Sequence, residues 1–449
     1  MENYKKYFKG KRITVMGLGI LGRGLGYTQF LAQCGADLIV TDLKPSTALR
    51  SSLEKLRKYR NIKFVLGKHR LQDFKNRDMI IKNPGVPLNS AYIKEARKNG
   101  IPIEMDVSLF AKLAPEVTVV GVTGTRGKSM TTVLIYEILK QNEKLLKRKV
   151  YLGGNIRGIA TLPLLKKVQS RDILVCELDS WQLQGFGEAG ISPHIAVFTT
   201  FMEDHMNYYK GDMKKYFADK ANIFKYQKEG DVLIVRPDMK KLIPSTIKSK
   251  LIVARASDVA KYPFTVPGKH QQENLACAVQ VAKQFRVPLT QIKNALKNFK
   301  GVEGRLQYVK TVKGVKIYND NNATTPKATC AGIEALSIVP KGASTEKKIV
   351  LIVGGSDKNL DLSTLGKVIK KYCKSVVLLP GTGTDKLVSE KLKVKSYKVK
   401  DLKGAVAKAM KEAKKGDIIL FSPAFASFGL FNNEYDRNDQ FMKIIKKLK

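Results

Sequence analysis

Gly121-Val122-Thr123-Gly124-Thr125-Arg126-Gly127-Lys128-Ser129 follows the apolar run from Val117 to Val122 and leads into a helical stretch, Met130 to Lys140. A strand, a glycine-rich loop and a helix in that order form a phosphate cradle. Glycines let backbone N–H groups curl around phosphate oxygens, a lysine neutralises the β- and γ-phosphates, and a serine hydroxyl can ligate Mg²⁺. Gly121 and Gly127 stand six apart, one more than the general GxxxxGK[ST] spacing, so this is a variant P-loop. ATP is the expected ligand, held by Gly124, Thr125, Gly127, Lys128 and Ser129.

Outward from this loop, short apolar runs alternate with helical stretches. Before it, Arg12 to Met16 is a β-branched run followed by Gly17-Leu18-Gly19-Ile20-Leu21-Gly22, and Leu38 to Thr41 is a second strand ending at Asp42. This is GxGxxG with an acid 20 residues after its last glycine, which marks a nucleotide-type fold without specifying a nicotinamide. Met79 to Ile81 and an extended stretch near Ile101 to Ile103 complete that segment. After the loop come Ile173 to Cys176, Ile195 to Phe198 and Val232 to Val235. From about Arg305 a third unit contains Ile349 to Val353, Ser375 to Leu379 and Ile418 to Phe421. Strands alternating with helices predict parallel sheets, with ligands at the carboxyl ends of the strands. A chain of 449 residues suits about three domains. The expected limits are 1–112, 113–303 and 304–449: a Rossmann-like domain, a P-loop ATPase-type domain and a second Rossmann-like domain.

The composition, 43% hydrophobic and 27% charged, excludes a fibrous or largely disordered chain. No apolar run is long enough to span a bilayer, and the basic N-terminus MENYKKYFKGKR has no apolar stretch behind it, so a cytoplasmic protein is expected. Cys34, Cys176, Cys277, Cys330 and Cys373 are widely spaced with no CxxC pair, which argues against a disulfide framework or a zinc site and for reduced, mostly buried thiols. The formal charge of +42 attracts anions of any kind. Its lysines are scattered rather than gathered on one helix, and no nucleic-acid motif accompanies them, so they read as a solvated surface.

Further segments follow the P-loop: Gly153-Gly154-Asn155-Ile156, Glu177-Leu178-Asp179-Ser180-Trp181-Gln182-Leu183, Glu203-Asp204-His205-Met206, and Lys220 fifteen residues after His205. Then come Gly268-Lys269-His270 with Asn274, Arg305, Asp320 with Ala323-Thr324, Gly354-Gly355 with Lys358, and Ser422-Pro423-Ala424-Phe425-Ala426-Ser427-Phe428. On chemistry alone, Glu177 at the end of an apolar strand suits a hard cation, and His205 is a second candidate ligand. Taken together and in this order, the set resembles the Mur ligases, which build the peptide of peptidoglycan precursors. The match spans essentially the whole chain.

The resemblance implies an ATP-dependent amide ligase, with Lys128, His205 and Lys220 catalytic and Ser129, Glu177, His205 and Lys220 around Mg²⁺. It implies that Lys220 is carbamylated by CO₂. Asn274, Arg305 and Asp320 match ATP contacts, while Thr324, Lys358, Ser427 and Phe428 match the amino-acid site. The Gly17 to Gly22 turn and the Trp181-Gln182-Leu183 segment are most similar to the D-glutamate-adding branch. In that branch Gly17, Gly19, Gly22, Asp42 and Asn155 would serve UDP-N-acetylmuramoyl-L-alanine, D-glutamate would be the second substrate, and the enzyme would act as a monomer. Three departures concern the nucleotide and amino-acid sites: Gly304 stands where histidine is usual, Asn322 where lysine is usual, and Glu434 where an aromatic is usual. The alternatives are a related ligase using another amino acid, a nucleotide-dependent oxidoreductase resting on Gly17 to Gly22 and Asp42, and a basic nucleic-acid-binding ATPase.

Overall fold

The computed structural model describes residues 3–297, 299–337, 347–389 and 392–448. It forms two compact units. One contains residues 1–262 and 273–296, the other 263–272 and 297–449.

The first unit holds two parallel sheets. In the first, Arg12–Met16 (β1), Asp37–Asp42 (β2), Ile62–Leu66 (β3), Met79–Lys82 (β4) and Ile103–Glu104 (β5) are ordered β3-β2-β1-β4-β5. The strand order reverses between β1 and β4, where an α/β sheet opens a crevice at its carboxyl edge. The second sheet comprises Thr118–Thr123 (β6), Val150–Gly154 (β7), Ile173–Glu177 (β8), Ile195–Phe198 (β9), Val232–Val235 (β10) and Lys250–Val253 (β11). Its order is β11-β10-β9-β6-β8-β7. β8, β9 and β10 are buried along their whole length, as expected of strands covered on both faces. One apolar cluster runs from Ile13 and Val15 of the first sheet to Leu174 and Phe198 of the second, so the two share a core. At their junction the buried Asp106 carboxylate accepts from Thr161 N at 2.8 Å and Leu162 N at 2.7 Å.

The second unit carries Gln307–Val312 (β12), Val315–Asn319 (β13), Ile349–Val353 (β14), Cys373–Leu378 (β15), Lys395–Lys398 (β16) and Ile418–Phe421 (β17), ordered β12-β13-β17-β14-β15-β16. This sheet is parallel except at one edge. β12 and β13 pair antiparallel across Lys313-Gly314, with Val312 opposite Val315. The turn places Lys313 and Gly314 at positive φ, 49° and 78°. The polar, half-exposed β12 forms the sheet edge and lacks the apolar run of the inner strands. All five cysteines are free, as their spacing predicts, and all are buried. Among the described residues no helix is long and apolar enough to cross a membrane.

Candidate active site

Strand register brings the central residues together. Val122 on β6 pairs with Glu177 on β8, and Thr123 pairs with Phe198 on β9, so the Gly124 loop, Glu177 and Thr199 leave the sheet at one edge. The helix spans Lys128–Gln141, starting two residues before the expected Met130. Gly127, at φ 88°, occupies the N-cap without any side-chain cap. The first amides of a helix have no intrahelical acceptor, and the dipole adds positive potential, so this end is built for an anion. Gly124 admits no side chain, because a Cβ there would lie 2.1 Å from Thr199 Oγ1.

Thr199 and Thr200 fix the loop from the neighbouring strand. Thr125 N donates to Thr200 O at 2.7 Å, Arg126 N to Thr200 Oγ1 at 2.8 Å, and Thr199 Oγ1 to Arg126 O at 2.6 Å. Nothing in the sequence singles out these threonines except their place at a strand end. Lys128 Nζ folds back onto Gly124 O at 2.9 Å and Thr125 O at 3.1 Å. Asn274 is buried, with its Oδ1 2.5 Å from where a Gly127 Cβ would stand, which puts it against the loop.

Lys220, on the Met213–Ala221 helix, is 1% exposed, and its Nζ donates to the same Gly124 carbonyl at 3.0 Å. Burial, reinforced by the charge of Lys128, pulls its amine down to about 7. His205, at φ 57°, packs its ring 4.8 Å from Trp181 and 6.3 Å from Tyr216. Burial lowers its pKa, opposed by Asp204. Glu177 is buried at the end of β8, and its carbonyl accepts from Asn155 N at 2.7 Å. The half-buried Ser129 lies in the first helical turn.

No group of three or more His, Cys, Asp and Glu that could hold a metal occurs among the described residues. This donor set fits Mg²⁺ better than a metal bound by protein side chains alone. Mg²⁺ takes one or two carboxylates and fills its other positions with phosphate oxygens and water. Glu177 offers one carboxylate, Ser129 a hydroxyl and His205 a nitrogen.

The N-terminal glycine turn is held from two sides. Asp42 Oδ2 accepts from Gly19 N at 2.9 Å and Oδ1 from Lys44 N at 2.8 Å, so its carboxylate is committed to shaping the turn. Gly17, Gly19 and Gly22 all have positive φ. Arg23 Nη2 donates to Asn155 Oδ1 at 2.9 Å, joining this turn to the central sheet. A third lysine escapes sequence inspection. Lys82, which ends β4, is 0% exposed and donates only weakly, to Asn83 O at 3.4 Å and Pro84 O at 3.3 Å. Burial pulls its amine to about 7, against the opposing effect of Asp179, Glu188 and Asp219.

In the second unit, loops after β13, β14 and β17 gather the remaining candidates. Asp320 accepts from Leu306 N at 3.0 Å and Ser422 Oγ at 2.9 Å, and burial pushes it up to about 7. Arg305 exerts an opposing Coulombic effect on Asp320, and its own Nε is buried without a hydrogen-bond partner. Lys358 Nζ reaches Thr324 Oγ1 at 3.2 Å. Ser427 is buried, whereas Phe428 is 65% exposed and anchored through its carbonyl by Ser356 Oγ at 2.6 Å. Two departures from the resembled pattern touch each other: Asn322 N donates to Gly304 O at 2.9 Å, and a Cβ on Gly304 would lie 3.0 Å from Asn322 Nδ2.

Three family models match the chain: the Mur ligase MurD-like N-terminal domain over 11–104, the Mur ligase middle domain over 122–262, and the Mur ligase glutamate ligase domain over 304–425. A UDP-N-acetylmuramoylalanine–D-glutamate ligase from Borreliella burgdorferi strain ZS7 is 36% identical over 98% of both chains. The enzyme of that name from Roseiflexus sp. strain RS-1 is 35% identical, covering 97% of this chain and 98% of its own. Among solved structures, the Thermotoga maritima UDP-N-acetylmuramate-alanine ligase MurC superposes with a TM-score of 0.61 at 17% identity, covering 98% of this chain and 100% of its own. At that identity the superposition speaks to the fold alone. Family models along its length and relatives above 30% identity over nearly all of it establish that the chain belongs to the Mur ligase family.

Proposed function

We propose that the chain ligates D-glutamate to UDP-N-acetylmuramoyl-L-alanine at the expense of ATP, through an acyl phosphate, in cytoplasmic peptidoglycan precursor synthesis. The observation that carries this reading is the pair of lysines, Lys128 and Lys220, converging on Gly124 in a chain 36% identical to a D-glutamate ligase along its length. Joining a carboxylate to an amine requires a better leaving group than oxide. Transfer of the γ-phosphoryl group to the alanyl carboxylate supplies one, and attack by the D-glutamate amine then expels phosphate. Both steps concentrate negative charge, which fixed cations and amides must meet.

Each residue set has a part in that scheme. The uncapped helix start and the amides of Gly124 to Ser129 bind the phosphates, and Lys128 turns from its loop carbonyls to the transferring group. Mg²⁺, when bound, neutralises phosphate charge, and Ser129, Glu177 and His205 are the residues that would hold it. Lys220 contributes as a carbamate: its neutral amine takes up CO₂, releasing a proton, and the resulting anion offers oxygens where the ammonium offers none. Asn274, Arg305 and Asp320 serve the nucleotide, while Thr324, Lys358, Ser427 and Phe428 serve the amino acid. The turn at Gly17, Gly19 and Gly22, with Asn155, receives the UDP end, and Asp42 acts by holding that turn. Residues 1–112, 113–303 and 304–449 are the three domains of this division of labour, in a monomer.

The oxidoreductase reading rests on the Gly17 to Gly22 turn and Asp42 alone and gives no role to Lys128 and Lys220, which converge on Gly124. The deciding experiment measures phosphate release with UDP-N-acetylmuramoyl-L-alanine, ATP and a panel of amino acids. D-glutamate should give the highest kcat/KM. Preference for another amino acid would move the chain to a different specificity within its family, with Glu434 as the first residue to test.

A further inference from the structure

Arg437, in the first turn of the Glu434–Lys447 helix, heads the fully buried side chains by volume. Its guanidinium spans two loops of the second unit. Nε donates to Asn321 Oδ1 at 2.8 Å and Nη2 to Asn321 O at 2.9 Å, while Nη1 donates to Phe425 O at 3.2 Å. Asn321 lies between Asp320 and Asn322, and Phe425 lies two residues before Ser427. Asn321 completes the network by donating its amide to Glu434 O at 2.9 Å and Asn322 Oδ1 at 3.1 Å. Among the described residues no carboxylate is within ion-pair distance of Arg437. Burial, opposed by the charge of Glu434, lowers it only to about 10, so it stays a cation at neutral pH.

A buried cation hydrogen-bonded only to neutral acceptors is costly, and here Glu434 offsets that cost from beyond ion-pair distance. The planar fork also does what a lysine cannot, fixing two backbone segments in one geometry. We infer that Arg437 is a positioning residue for the incoming amino acid. It sets the spacing between the Asp320–Thr324 loop and the Ser422–Phe428 loop, and it holds a positive charge that no hydrogen-bonded carboxylate neutralises beside the two loops proposed to receive a dianion. A charge in a dry interior acts over several ångströms, so contact with the ligand is not required. The inference rests on the proposed D-glutamate activity and adds a residue that neither Asp320, Thr324 nor Ser427 identifies.

The test is steady-state phosphate release by Arg437→Met, Arg437→Lys and Asn321→Ala, varying D-glutamate, ATP and the UDP-substrate in turn. Arg437→Met should raise the KM for D-glutamate roughly tenfold or more, with the other two KM values within about twofold. Arg437→Lys keeps the charge without the fork and should fall between. Asn321→Ala should raise the same KM, and the double variant should add little to Arg437→Met, since both break one network. If Arg437→Met fails to fold, the other two variants decide. An unchanged D-glutamate KM, or three KM values rising together, overturns the inference while the ligase assignment stands. If the unsubstituted chain ignores D-glutamate, the activity assignment fails instead, and the same KM comparison with the amino acid it does use still decides the role of Arg437.

Discussion

Lys128 and Lys220 donate to one acceptor, the Gly124 carbonyl, at 2.9 and 3.0 Å. Two ammonium groups on one oxygen repel, and the pair is relieved when one of them is neutral. Lys220 is the more buried of the two and the one whose pKa is held down, to about 7. A neutral amine is the form that reacts with CO₂, so the lowered pKa is what the proposed carbamylation of Lys220 requires.

Lys220→Ala should therefore lose most ligase activity and recover part of it with millimolar formate or acetate, whose oxygens replace those of the carbamate. Activity of the unsubstituted enzyme at limiting CO₂ should also fall as the pH drops below about 7, where the amine is protonated. Full activity of Lys220→Ala, or an unmodified lysine by mass spectrometry in a fully active enzyme, would return Lys220 to a structural role.

Lys128→Ala removes a point charge from the proposed phosphoryl path without removing core volume. A loss of roughly 10²-fold or more in kcat is expected, of the order found when one stabilising donor is deleted. The melting temperature should stay within a few degrees of the parent. Near-normal turnover by the folded variant would contradict the P-loop assignment.

Asp42→Ala tests the glycine turn. It frees the amides of Gly19 and Lys44 from their shared acceptor. The expected outcome is a KM for the UDP-substrate raised roughly tenfold, the equivalent of about 1.4 kcal/mol, with the KM for ATP unchanged. Saturable NADH binding by the parent that no uridine nucleotide displaces would point the turn to a dinucleotide.

The parts legible in the sequence share a property: their signal is local. Gly124, Gly127 and Lys128 lie within five residues, and β8 and β14 announce themselves as unbroken apolar runs. Lys82, Arg437 and Lys220 look alike on paper, three cations among 81. Only tertiary burial separates them from the solvated majority, and only for Lys220 does its position in a recognisable series give it away. The β12–β13 hairpin was hidden for a related reason. An exposed edge strand such as Gln307–Val312 needs few apolar residues, so its composition resembles a loop.

Asp106 offers a test of how the two sheets of the first unit are held together. Its buried carboxylate is the acceptor for Thr161 N and Leu162 N at the start of the Leu162–Lys166 turn. Asp106→Ala leaves two buried amides without their acceptor and should cost about 2–5 kcal/mol in urea unfolding. A change below about 0.5 kcal/mol would show that these amides find other acceptors.

Lys82 makes the opposite prediction, because its charge is a burden on the apo protein. Its amine falls from an ordinary lysine value to about 7 in the folded state. Between about pH 7 and the unfolded pKa near 10.5, the unfolded chain binds the extra proton, so this group makes stability rise with pH. Below about 7 both states are protonated and its destabilising effect is fully present. Lys82→Met removes the charge and keeps the bulk, so it should be neutral or stabilising at pH 7. It should also flatten the rise in unfolding free energy between pH 7 and 10 by up to ~1.4 kcal/mol per pH unit. In CO₂-free buffer, where Lys220 is a free amine, it contributes a slope of the same sign, so some rise should persist in the single variant and shrink further with Lys220→Met added. Strong destabilisation by Lys82→Met at pH 7 would instead show that the ammonium's hold on the Asn83 and Pro84 carbonyls outweighs the cost of burying it.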